Sequence, residues 1–153
     1  MKLLKIIFAI IVITKLSSCG YKPINKISNN QISINTYYLS GDTQINKILE
    51  LNFNRFQNNS NAIKNFEITG KSEIIKSIAS KNSSGDITGY NLKITISITV
   101  FENEKELTSN IYLKNTNYNN FSSKFELKQY EKILIKDLVN EIITEINYQL
   151  MTL

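Results

Sequence analysis

The sequence predicts an α+β domain, and three observations carry that prediction. Leu92, Ile94, Ile96, Ile98 and Val100 alternate with Lys93, Thr95, Ser97 and Thr99, the two-residue period of a strand with one face buried. Leu127, Tyr130, Leu134, Leu138, Ile142, Ile146 and Leu150 recur at three- and four-residue steps, the stripe of a long helix. Between them and upstream, polar clusters cut the chain into a strand, a helix and a three-strand meander.

The chain opens with Lys2 and Lys5 and an apolar run from Ile6 to Ile13, the basic and hydrophobic regions of a secretory signal. Thr14 and Lys15 close that run well short of the roughly 20 residues that a spanning helix needs. Leu16-Ser17-Ser18-Cys19 then fits a bacterial lipobox, with an apolar residue three positions before a thiol that accepts lipid. Lys15 puts a charge between the apolar run and the box, where such signals are usually neutral. The expected division is residues 1–18 as signal peptide, 19–30 as lipidated Cys19 with a flexible tether, and 31–153 as one domain. Gly20 stands where an aspartate would mark retention in the inner membrane, which points to the outer membrane. Eleven residues from Gly20 to Asn30 reach at most about 40 Å when extended.

Ile32, Ile34, Tyr37, Tyr38 and Leu39 make the first strand, ending at Ser40-Gly41. Asp42 or Thr43 caps a helix to about Gln57, with Ile45, Ile48, Leu49, Leu51 or Phe53, and Phe56 on one face. Asn58-Asn59-Ser60-Asn61 ends it. Phe66 and Ile68 open the meander, and the adjacent pair Ile74-Ile75 suggests a bulge. Asn82 to Asp86 is a turn before the alternating strand, and Glu102 to Glu106 is the next. Leu107, Ser109, Ile111 and Leu113 are expected to face inward on the last strand. Asn115 to Asn120 reads as a polar loop carrying Tyr118. Ser122 or Ser123 then starts the long helix, about 40 Å from end to end, which can lie along the sheet and cover one face.

Composition excludes more than it proposes. The chain has 153 residues, 18 basic and 13 acidic, with no histidine and one cysteine. Loss of Lys2, Lys5 and Lys15 with the signal leaves 15 basic groups against 13 acidic, too balanced and too scattered for a nucleic-acid surface. Without histidine, and with its thiol acylated, the chain lacks the nucleophile–base pairs of hydrolases and most zinc ligand sets. Asp42, Asp86 and Asp137 have structural uses at a cap, a turn and a helix face. Gly70, Gly85 and Gly89 are too dispersed for a phosphate loop. The reading is a protein that is not an enzyme and has no cofactor. Lys71, Lys76, Lys81 and Lys93 could meet anionic phosphates, but lysine also guards sheet edges against pairing.

Cys19-Gly20-Tyr21-Lys22-Pro23 resembles the Cys-Gly-aromatic-basic-Pro opening of the LPS-assembly lipoprotein LptE family, and the element order that follows is similar too. The resemblance implies a two-layer sandwich, two helices packed on a mostly antiparallel four-stranded sheet, held at the periplasmic face of the outer membrane through lipid on Cys19. It also implies a plug and assembly partner for an LptD-type β-barrel that contacts lipopolysaccharide. Cys19 alone carries over by position; the resemblance names no lipopolysaccharide-contacting residue. The competing reading is a periplasm-facing accessory lipoprotein of a transporter or of barrel assembly that does not touch lipopolysaccharide.

Overall fold

The computed structural model describes residues 32–57 and 59–153; the expected signal peptide, the expected lipid acceptor Cys19 and the expected tether lie outside the described residues. Four strands form one sheet in the order β1-β2-β3-β4: β1 (Ile32–Gly41), β2 (Lys64–Lys81), β3 (Ile87–Glu102) and β4 (Lys105–Asn119). β1 runs parallel to β2, and the other two pairings are antiparallel. The parallel pair follows from the connection, because α1 (Thr43–Phe53) and a 3-10 turn (Asn54–Phe56) return the chain to the same end of the sheet before β2 starts. The long helix α2 (Lys124–Thr152) completes the second layer. The fold is the expected α+β sandwich, two helices on one face of a mostly antiparallel four-stranded sheet.

The alternating strand supplies the floor of the core. Leu92, Ile94, Ile96, Ile98 and Val100 are each at most 2% exposed. From the helical layer, Ile45, Leu49, Phe53 and Phe56 meet them on one side, and Ile135, Leu138, Val139, Ile142, Ile146 and Leu150 on the other. Of the two residues open for the helix stripe, Phe53 is buried and Leu51 is exposed. α1 starts at Asp42, whose Oδ1 accepts from the amides of Gln44 at 2.8 Å and Ile45 at 3.0 Å. Gly41 makes that start possible. Its φ is +96°, and a Cβ there would lie 1.9 Å from the carbonyl oxygen of Ser72, so only glycine lets the Asp42 amide reach that carbonyl at 3.2 Å. The Ser72 hydroxyl donates to Asn46 Oδ1 at 2.7 Å and ties β2 to the new helix. Ser123 caps α2, its hydroxyl oxygen accepting from the Glu126 amide. Asn52 and Asn147 exchange amide hydrogen bonds at 2.9 and 3.2 Å and join the two helices.

Three expectations are corrected. There is no bulge at Ile74-Ile75, since the β2–β3 register runs unbroken from Glu67↔Phe101 to Ile78↔Tyr90 and first slips near Ser80. The two isoleucines take opposite faces, with Ile74 partly buried toward the helices and Ile75 exposed on the other side. Asn115 to Asn119 is strand rather than loop: Tyr118 pairs with Tyr90 and is buried. The largest correction concerns the phase of β4. Leu107, Ser109, Ile111 and Leu113 are exposed, while Thr108, Asn110, Tyr112, Lys114 and Thr116 sit half-buried on the helix side.

The reason is one residue. Counting back from the turn, Phe101 pairs with Glu106, but Val100 pairs with Thr108, so Leu107 is extra in its strand. A single inserted residue turns every later side chain to the opposite face. The turn itself is tight, with Asn103 and Glu104 at φ 51° and 65°, the left-handed pair that a two-residue hairpin loop requires. β4 then meets α2 through a polar seam. Tyr112 donates its hydroxyl to Gln149 Oε1, Gln149 Nε2 donates to Thr108 Oγ1 at 3.0 Å, and Lys114 Nζ stands 2.6 Å from Glu145 Oε1.

Candidate functional site

Both helices pack on the same side, and among the described residues no layer covers the other face of the sheet. Pairing aligns its side chains into rows across the strands: Tyr38-Thr69-Thr99-Ser109, Ser40-Lys71-Ser97-Ile111, Glu73-Thr95-Leu113, Ile75-Lys93-Asn115 and Ser77-Asn91-Asn117. Thr99 and Ser109 share a hydroxyl hydrogen bond at 2.9 Å, and Asn91 donates to Asn117 at 2.8 Å. Most of the face is therefore hydroxyl and amide. The expected polar character holds for β2 and β3, but the inverted phase of β4 adds Ile111, which is 72% exposed, and Leu113, with Ile75 across the sheet. Local pattern assigns Ile111 and Leu113 to the core, and only the extra residue at Leu107 moves them out.

The four lysines considered as anion contacts do not act alike. Lys71 and Lys93 lie on the uncovered face. Lys81 ends β2 beside the Asn82–Asp86 turn. Lys76 is on the helix side, 2.5 Å from Glu131 Oε1 and 3.8 Å from the centre of the Tyr90 ring. Glu131 also accepts from the Tyr118 hydroxyl at 2.7 Å. Tyr118 stacks on Tyr90 at 5.7 Å and tilts against Tyr130, which meets Phe121. Burial first, then the hydrogen bond to the Glu131 carboxylate and its negative charge, raise the Tyr118 hydroxyl above its ordinary pKa. The cluster locks the first turns of α2 to the sheet. Local sequence hides it, because the polar run from Asn115 to Asn120 reads as a loop around Tyr118.

Cys19 lies outside the described residues. The three aspartates remain apart: Asp42 caps α1, Asp86 accepts from Asn82 Nδ2 in the turn, and Asp137 is exposed on α2. Among the described residues no group of acidic side chains is arranged to hold a metal ion, and no helix is long and apolar enough to cross a membrane. A cleft of about 600 Å³ between the start of β1 and the chain at Gln57, Asn59 and Ser60 is lined almost wholly by amides and hydroxyls.

The described residues form a two-layer α+β domain with two helices covering one face of the sheet. Several solved lipoproteins share this fold. The rare lipoprotein B of Shewanella oneidensis superposes with a TM-score of 0.58 at 15% identity, over 77% of this chain and 95% of that one. A minor lipoprotein of Acinetobacter baumannii gives 0.55 at 15% identity, over 76% and 92%. An uncharacterized lipoprotein B of Nitrosomonas europaea gives 0.54 at 16% identity, over 83% and 87%. The likeness is one of fold. The sequence matches no protein-family model and no curated protein.

Proposed function

We propose that this chain is an outer-membrane lipoprotein of lipopolysaccharide assembly, anchored through lipid on Cys19 and acting as plug and assembly partner of an LptD-type β-barrel. The observation that carries the reading is the uncovered sheet face, in a fold shared with solved lipoproteins. A large barrel has a polar, water-accessible lumen. Rows of Thr, Ser and Asn match such a wall, and Ile111 and Leu113 at the β4 edge add an apolar contact. Affinity then comes from area and many hydrogen bonds, with bridging water, and the domain turns nothing over.

The test has two arms. Depleting the protein is expected to cause barrel misassembly and loss of surface lipopolysaccharide. Pull-down in mild detergent is expected to recover one large barrel in equal amount, and Ile111→Glu with Ser97→Glu to abolish that recovery while the domain stays folded. Cys19→Ala is expected to release the chain from outer membranes. Normal barrels and normal surface lipopolysaccharide in the depleted strain overturn the reading in favour of a transporter accessory.

A further inference from the structure

The geometry points to a binding groove for the phosphate headgroup of an anionic glycerolipid, on the helical layer between α1 and α2. The groove, about 440 Å³, is lined by Thr43, Gln44, Lys47 and Ile48 of α1 and by Lys132 and Lys136 of α2. Lys132 and Lys136 continue a row begun by Lys124 and Lys128 at four-residue steps. Residues at that spacing are neighbours on a helix, and like charges there destabilise it. Lys47 adds a further positive charge from the facing helix.

The acidic half of the same helix shows what is missing. Glu141 and Glu145 also stand four apart, and Lys114 of β4 answers both, 3.9 and 2.6 Å away. Among the described residues no carboxylate lies within 4.0 Å of Lys47, Lys132 or Lys136. Two nearby acids are committed already: Asp42 accepts from two α1 amides, and Glu131 holds Lys76 and Tyr118. Three lysines converging without a counter-charge fit an external anion. Ile48 inside the groove, with exposed Leu51 and Ile133 one turn away, suits the acyl-glycerol side of a lipid rather than free phosphate. Lysine heads with apolar side chains around them are the composition of helical surfaces that bind anionic bilayers. This site requires neither lipopolysaccharide nor a barrel.

The full-length chain in neutral detergent micelles is titrated with phosphatidylglycerol, and binding is read from the backbone amide resonances of residues 43–48 and 132–136. Saturable shifts are expected there. The triple variant Lys47→Gln, Lys132→Gln, Lys136→Gln is expected to raise the half-saturating lipid level on the order of a hundredfold, roughly fivefold per lysine. Lys64→Gln, Lys81→Gln, Lys105→Gln, equal in net charge, is expected to leave it nearly unchanged. Equal losses in both triples, or no saturable shift in the parent, overturn the site. Inorganic phosphate producing the same shifts and displacing the lipid overturns the lipid as its occupant. Failure of the lipopolysaccharide reading is scored separately, in the depleted strain.

Discussion

Lys76 on β2 and Glu131 on α2 form an ion pair at 2.5 Å, fifty-five residues apart in sequence, with the Tyr90 ring lying under the ammonium group. Both side chains keep some solvent contact, so solvent screens the pair and its worth is modest. The cation–ring contact adds about 0.5 to 1 kcal/mol at such a site. Lys76→Ala is expected to cost about 1 kcal/mol in urea unfolding, and Lys93→Ala, on the uncovered face, under about 0.5. A double-mutant cycle of Lys76→Ala with Glu131→Ala isolates the pair. Equal shifts for Lys76 and Lys93 would show that the contact contributes nothing in solution.

The core side of β3 and the outward phase of β4 are tested together. Ile96→Ala removes a fully buried side chain beneath the helices and is expected to cost about 2 to 5 kcal/mol. Thr95→Ala and Ile111→Ala are each expected to cost well under about 1 kcal/mol. A loss at Ile111 as large as that at Ile96 would mean that β4 runs in the opposite phase, without the extra residue at Leu107.

The tyrosine cluster predicts an alkaline limit. Tyr118 has its pKa raised above the ordinary 10.0, and Tyr112 and Lys114 are shifted upward too. A group that holds its proton more tightly when folded contributes stability fully present below its unfolded pKa and lost as pH rises toward the folded value. Stability is therefore expected to be flat up to about pH 9 and to fall above about pH 10. Tyr118→Phe should be less stable at neutral pH and show a shallower alkaline decline. An unchanged slope in that variant would remove Tyr118 as a source of the effect.

The sequence by itself determined every element whose evidence is local. The Leu92 to Val100 alternation places its own two faces, and the stripe from Leu127 to Leu150 makes a helix whose length suits the sheet. Asp42 and Ser123 mark their caps because short polar side chains satisfy free amides at helix starts. Tertiary structure alone decided the face of β4 and the fate of Lys76. A one-residue insertion at Leu107 leaves the composition of the strand unchanged, yet it reverses which side chains meet α2. Tyr118 could not be read as buried from its neighbours Asn117 and Asn119, because its burial comes from Tyr90 on β3 and from Tyr130 and Glu131 on α2. Local pattern specifies a strand or a helix through its period, but which face is covered depends on register, and register is set by pairing between distant parts of the chain.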